Sequence, residues 1–137
     1  MKTNLFIAIL LFPLLFACGE KNTVSVAHLS DLMDIDAIEQ VEMSNNSGTF
    51  YLSPEQLVSF KKDLHKLSYV PGSGAKVGAI SMNLTIKGKK YGLSSSTHGQ
   101  YVEAHSSIAT KNQDQLKPGS LIYFKTNGVN FDNYKKL

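Results

Sequence analysis

Hydrophobic and polar residues alternate most strictly in the middle of this 137-residue chain. Ile80, Met82, Leu84 and Ile86 are separated by single polar residues. Because successive side chains of a β-strand point to opposite faces, this alternation predicts a strand with one buried and one exposed face. Gly88, which stands between two lysines, then predicts a tight turn into the next strand.

Shorter apolar alternations on both sides of this strand predict further strands. They cover residues 35–44, 49–52, 90–93, 101–105, 121–124 and 129–131. The first two are joined by a cluster of Asn, Ser and Gly, which predicts a hairpin. Asn127-Gly128 is typical of a two-residue hairpin turn, so Val129 and Phe131 are predicted to return beside the strand at 121–124.

One segment has the period of a helix instead. Ser53, Pro54 and Gln56 match an N-cap, a first helical position and the third residue of a capping box. Apolar residues then recur at spacings of three and four, at Leu57, Phe60, Leu64 and Leu67. The pattern predicts an amphipathic helix over 54–66 that packs its apolar side on a sheet.

The order of these elements predicts an α+β fold, with a mainly antiparallel sheet of about 6–7 strands and one helix packed on one face. We expect a single domain over 35–137, preceded by a tether over 18–34. Within the tether, residues 28–33 are consistent with one helical turn or with an extended lead-in.

The N-terminus has the three parts of an export signal. Lys2 is followed by an uncharged, mostly apolar run over 5–16 and by the small residue Ala17. A membrane-spanning helix needs about 20 residues, and this run is shorter and contains Pro13. Residues 1–17 are therefore predicted to be a cleaved signal peptide.

The end of this signal, Leu15-Phe16-Ala17-Cys18, resembles the lipobox of bacterial lipoproteins. The resemblance covers residues 1–18 only and implies that Cys18 is lipidated and becomes the first mature residue. Acyl chains on Cys18 would hold the chain on the membrane. Because Gly19 rather than Asp follows Cys18, the resemblance implies the outer membrane of the cell envelope, on its periplasmic side or surface, over the inner membrane.

Charge narrows the set of partners. All 14 basic residues are lysines, so arginine clamps on phosphate or carboxylate are excluded. Residues 18–60 carry one Lys and seven acids, whereas residues 61–137 carry twelve Lys and four acids. Such a split is typical of solvated faces that attract each other across a fold, and it also suits a lysine-rich surface for an anionic partner. An exported chain without a recognition motif is not expected to bind nucleic acid.

The chemistry that an enzyme would need is sparse. Ser94, Ser95, Ser96, Thr97 and His98 are adjacent, but a catalytic triad is assembled in space and has no fixed spacing. This region, up to His105, is the one place where a small hydrolase or a ligand-binding site is conceivable.

Glu103 and His105 share one strand face, with His98 across the preceding turn, whereas metal sites need three or four convergent ligands. We therefore expect no catalytic residue, no metal and no cofactor.

Ser47-Gly48-Thr49-Phe50-Tyr51 resembles the Ser-Gly-x-x-Tyr pattern of C-type lysozyme inhibitors of the bacterial envelope. The resemblance implies that Ser47 and Tyr51 would reach into the cleft of a lysozyme. Those inhibitors are disulfide-containing β-barrels, whereas this chain has a single Cys and is predicted to continue from the motif into a helix.

The sequence thus predicts a membrane-anchored envelope lipoprotein whose domain binds a protein partner and is not an enzyme. The alternatives are an inhibitor or immunity protein against a cell-wall hydrolase or toxin, and a hydrolase or ligand-binding domain that uses residues 94–105. The candidate contact surface combines lysines, tyrosines and histidines: Lys87, Lys89, Lys90, Tyr91, His98, Tyr101, Glu103 and His105.

Overall fold

A computed structural model describes residues 25–72, 78–95 and 100–137. The predicted signal peptide, Cys18 and His98 lie outside these ranges. The described elements, in chain order, are β1 (Gln40–Asn45), β2 (Gly48–Tyr51), α1 (Pro54–His65), β3 (Ser68–Val70), β4 (Ile80–Ile86), β5 (Lys89–Ser95), β6 (Tyr101–His105) and β7 (Leu121–Lys125). Short 3-10 turns occupy Leu29–Asp31, Ile35–Ala37, Ser106–Ile108, Gln113–Gln115 and Phe131–Asn133.

The seven strands form one sheet in the order β2-β1-β4-β5-β6-β7-β3, and every pair is antiparallel. The predicted α+β fold with a mainly antiparallel sheet and one helix is confirmed. The alternation in β4 gives its burial: Ile80, Met82, Leu84 and Ile86 face the core. The described helices include none that is both long enough and apolar enough to cross a bilayer.

Helix α1 begins where its sequence predicts. The backbone N–H of Gln56 donates to Ser53 Oγ at 3.1 Å, and the backbone N–H of Ser53 donates to Gln56 Oε1 at 2.9 Å, which completes the capping box. Phe60 and Leu64 are fully buried and belong to the same apolar cluster as the inward residues of the sheet. The helix therefore lies on one face of the sheet and leaves the other face to solvent.

The C-terminal strand predicted at Val129 and Phe131 is wrong. Asn127 and Gly128 do adopt the positive φ angles of a turn, 53° and 93°. However, β7 is already paired on both sides, by β6 and by β3, so no edge is left for a returning strand. Phe131 instead forms a 3-10 turn and packs its ring 5.7 Å from that of Phe60. The strand β3, which occupies that edge, was not predicted.

The described core includes residues that precede the boundary predicted between tether and domain. Leu29, Leu32 and Met33 are fully buried, so the described domain begins before residue 35. Asp31 accepts the backbone N–H groups of Ala27 and His28, each at 2.9 Å, and fixes the first 3-10 turn. The strand predicted from residue 35 starts at Gln40, because Ile35 is held in a second 3-10 turn.

Candidate functional site

The sheet face opposite α1 is the most extensive exposed feature of the described chain. We call it the open face. Its residues alternate with those of the core along all seven strands. They include Glu42, Ser44, Thr49, Tyr51, Ser68, Val70, Ser81, Asn83, Thr85, Lys90, Gly92, Ser94, Tyr101, Glu103, His105, Leu121, Tyr123 and Lys125. Within the described ranges no helix lies on this side, so the backbone sheet is presented directly.

Two tyrosine–glutamate pairs stand on the open face. Tyr51 is the cross-strand partner of Glu42, and Tyr123 is the partner of Glu103. In each pair the phenol donates a hydrogen bond to the carboxylate, and this bond together with the negative charge raises the pKa of both Tyr51 and Tyr123.

Small uncharged residues fill the space between the two pairs. Ser81 faces Ser94, and Asn83 faces Gly92, across the central strands β4 and β5. Glu42 and Glu103 are three strand spacings apart, or about 14 Å, since neighbouring strands lie about 4.8 Å apart. A side chain at Gly92 would have its Cβ 3.6 Å from Asn83 Oδ1, an ordinary contact, so the glycine flattens the floor without being required by packing.

The candidate contact surface is only partly assembled by the fold. Lys90, Tyr101, Glu103 and His105 share the open face, with Lys90 and Tyr101 toward its opposite ends. Tyr91 has the opposite parity and packs, partly buried, against the core.

Lys87 occupies the β4–β5 turn. Lys89, like Tyr91, lies at a position of β5 whose side chain is on the core side of the sheet, but it is exposed because the sheet ends there.

Several residues of the open face were not predicted from the sequence. Above all, the sequence did not predict that Tyr51, Leu121 and Tyr123 belong to one surface. Tyr51 and Leu121 are 57% and 54% exposed, whereas Tyr123 has the parity of the open face but is only 7% exposed. A signal was present, because Leu121 and Tyr123 alternate with the core residues Ile122 and Phe124. Their position beside Glu103 depends on strand order, which the alternation does not give.

One histidine–serine contact exists, at the end of β6. His105 Nδ1 lies 2.8 Å from Ser107 Oγ and accepts the backbone N–H of Ser107 at 3.1 Å. This is the N-cap of the 3-10 turn Ser106–Ile108. It borders a cavity of about 410 Å³, with Gln113 and Lys117 on its other side. No carboxylate among the described residues holds the other ring nitrogen, so the geometry is that of a cap and lacks the orienting group of a catalytic triad.

The serines considered for catalysis do not converge on a histidine within the described ranges. Ser95 is fully buried and donates to the carbonyl of Tyr101 at 3.1 Å, and Ser94 faces Glu103 on the open face. Residues 96–98 lie outside those ranges. Among the described residues, no group of three or more His, Cys, Asp or Glu side chains is placed to hold a metal ion.

The Ser-Gly-x-x-Tyr motif is split by the fold. Ser47 donates to Asn45 Oδ1 at 2.9 Å and accepts the backbone N–H of Lys136 at 3.2 Å, so its hydroxyl ties the β1–β2 turn to the C-terminal segment. Tyr51, four residues on, is exposed on the open face. Of the two residues implied by the resemblance, Tyr51 is the one presented as a contact.

No protein-family model, curated protein or solved structure matches this chain.

Proposed function

We propose that this chain is a bacterial envelope lipoprotein, anchored through lipid on Cys18, whose domain is a non-catalytic module that binds a protein partner with the open face. One observation carries the proposal. A seven-stranded sheet is covered on one side by α1 and the 3-10 turns and lacks a second layer on the other side within the described ranges.

The composition of the open face supports a protein contact over a plain solvated face. Antiparallel sheets often have one wet side, which is normally rich in charged residues. Here the floor is Ser81, Asn83, Gly92 and Ser94, and none of them is charged. Protein interfaces have the same arrangement, with charged residues depleted at the centre, tyrosine enriched and a polar rim. The rim charges are Glu42, Lys90, Glu103 and Lys125.

The proposed anchor rests on the N-terminal signal. Lys2, the apolar run over 5–16 and Leu15-Phe16-Ala17-Cys18 support export followed by lipidation, and Gly19 supports the outer membrane. The partner is then a protein of the cell envelope, and nucleic acid is not expected.

Inhibition of a wall-degrading or toxic enzyme is the second candidate. Exposure of Tyr51 at the side of the open face favours it, since this is the contact residue that the lysozyme-inhibitor resemblance implies. An inhibitor should block an added hydrolase by itself, whereas an accessory subunit of an envelope complex should have no effect until its partner is present.

The proposed surface can be tested by site-specific photocrosslinking in the source cell. A photoreactive residue replaces Ser94, at the centre of the open face, in the full-length lipoprotein. We expect one discrete adduct with an envelope protein, because the residue is aimed away from the core. The matched control carries the same residue at Ser59, which is exposed on α1.

Equal adducts from Ser94 and Ser59, or an adduct from Ser59 alone, would show that the open face is not the contact surface. If neither position gives an adduct while the chain is present in the membrane fraction, the protein-binding proposal is wrong in that cell.

A further inference from the structure

The described chain enters the domain at the edge of the sheet, beside β3. Tyr69 donates its backbone N–H to the carbonyl of Ala27 at 2.8 Å, and His28 pairs antiparallel with Ser68. Val26 and Ser25, the first described residues, therefore run past Val70, toward the end of the sheet where β7 begins. At that same end β6 finishes and β4 turns into β5.

Exposed lysines are found at this end, which we call the lysine end. It is defined by Lys87, Lys89 and Lys90 on the β4–β5 hairpin and by Lys117 in the segment before β7. None of these four makes an ion pair with another described residue.

Two exposed acids also lie here: Glu39, which accepts the backbone N–H of Lys87 at 2.8 Å, and Asp114 near Lys117. The lysine end therefore keeps a positive balance.

The β4–β5 hairpin is the part of this end that projects. Gly92 lies level with the last residue of β6, His105, which itself pairs with Leu121 at the start of β7. Lys89 is three residues beyond Gly92, so the hairpin extends about 10 Å past β6 and β7 at about 3.3 Å per residue, whereas on its other side β1 runs beside it as far as Gln40, opposite Thr85. Three lysines, Lys87, Lys89 and Lys90, are thus carried beyond the ends of β6 and β7.

The chain segment between the proposed anchor, Cys18, and the first described residue, Ser25, is short. Ser25 is seven positions after Cys18, and seven extended residues span at most about 24 Å. The hairpin is three strand spacings from β3, about 14 Å to the side. The hairpin lysines therefore lie within the distance at which the bilayer must be found if Cys18 carries its acyl chains.

We propose that the lysine end docks on the anionic phospholipid headgroups of the membrane that holds Cys18. This inference rests on the lipid anchor of the proposed function and deepens it by naming the orientation of the domain. Lysines near an anionic bilayer attract it within a Debye length, about 8 Å at physiological salt. With this end on the membrane, the strands run roughly along the membrane normal. The open face is then roughly perpendicular to the membrane plane and stays accessible to a protein partner.

Reconstitution of the lipidated full-length chain tests the orientation. Cys18 is the only cysteine, and its thiol is blocked when acylated, so a cysteine introduced at Ser107 or at Asn46 can be labelled with a fluorophore. Ser107 is exposed at the lysine end, and Asn46 is exposed on the turn at the opposite end of the sheet. The readout is quenching by lipids that carry a nitroxide on the headgroup, in phosphatidylcholine vesicles with or without phosphatidylglycerol.

In vesicles with phosphatidylglycerol, we expect the label at Ser107 to be quenched several-fold more strongly than the label at Asn46. The combined substitution Lys87→Gln, Lys89→Gln and Lys90→Gln should lower, about 100-fold, the ratio of molecules with the lysine end on the membrane to molecules with the opposite end on it. This figure follows from the usual contribution of a lysine at an anionic surface. The matched control removes three charges from α1 and its C-cap, as Lys61→Gln, Lys62→Gln and Lys66→Gln, and should leave the difference in place.

Equal quenching of the two labels, or an equal effect of the α1 control, would overturn the docking. The mass of the purified chain separates this failure from that of the anchor. If Cys18 carries lipid and quenching is equal, the orientation alone is wrong. If Cys18 carries no lipid, the anchor and the orientation both fall. The photocrosslink from Ser94 reports on protein binding independently of either.

Discussion

At the scale of single residues, side-chain hydrogen bonds hold together segments that are distant in sequence. Asn45 Nδ2 donates to the carbonyls of Phe131 and Tyr134 at 3.0 and 2.7 Å, and Gln56 Nε2 donates to that of Lys135 at 2.8 Å. The phenol of Tyr134 donates to Asp63 on α1 at 2.5 Å. These bonds fasten the C-terminal segment over the core, where backbone pairing with the sheet does not reach.

Replacing Tyr134 with Phe should destabilise the fold by about 1–3 kcal/mol, because the half-buried carboxylate of Asp63 loses a donor. Burial raises the pKa of Tyr134, and the hydrogen bond to Asp63 raises it further. A raised pKa stabilises the folded state fully below the ordinary value of 10.0, and this contribution is lost as the pH rises above that value.

Chemical denaturation of both proteins between pH 7 and pH 11 checks this expectation. The difference in unfolding free energy between wild type and Tyr134→Phe should be largest at neutral pH and should shrink above about pH 10. A difference that stays constant over this range would show that the hydroxyl acts through packing alone.

At the scale of elements, local patterns and global pairing agree in most places and conflict at the C-terminus. The capping box of α1 and the alternation of β4 are complete within a few residues, so the sequence predicts both correctly. Asn127-Gly128 makes its turn as predicted, but the strand that should follow has no edge to join. Whether a turn becomes a hairpin is decided by what else competes for the neighbouring strand, here β3.

Substitution of Phe131 by Ala distinguishes the two placements of the C-terminal segment. In the fold described here Phe131 is fully buried between Phe60 and Tyr134, so truncation should cost about 3–5 kcal/mol. On a returning edge strand, part of its ring would be in solvent and the loss would be smaller. Thermal and urea unfolding measure the change.

The control is Val58→Ala on the exposed side of α1, where the side chain is 57% exposed and little stability should be lost. Comparable losses from the two substitutions would contradict the buried position of Phe131.

At the scale of the whole molecule, the fold has two layers, and the second layer covers only one face of the seven-stranded sheet. One layer holds α1, the 3-10 turns and the N- and C-terminal segments, and the other is the sheet. Two surfaces result from this arrangement. The open face is broad and has an uncharged centre, and the lysine end is narrow and basic, so a protein partner and a membrane surface would share only Lys90, at the rim of the open face.

Introduction of a charge at the centre of the open face should therefore affect binding and not folding. Ser94→Arg places a long side chain on the exposed side of β5, away from the core, and should change the unfolding free energy by no more than about 0.5 kcal/mol. In the same protein, partner recovery from envelopes should be lost. Loss of stability by several kcal/mol would mean that the open face is covered by structure that its exposure does not reveal.

The sequence by itself determined the period of each long element, the cap of α1, the fold class and the expectation of an exported, lipidated N-terminus, because these depend on neighbours within a few residues. It also placed Lys90, Tyr101, Glu103 and His105 on one surface, since they share strand parity or lie on paired strands. The tertiary structure alone decided the strand order, and with it the pairing of Glu42 with Tyr51 and of Glu103 with Tyr123 across a floor of small residues. It also decided that residues 29–33 belong to the core and that Phe131 leaves the sheet. Such contacts join distant residues, such as Asp31 and Asn112, which are 81 positions apart, and their free energy depends on burial that no local pattern encodes.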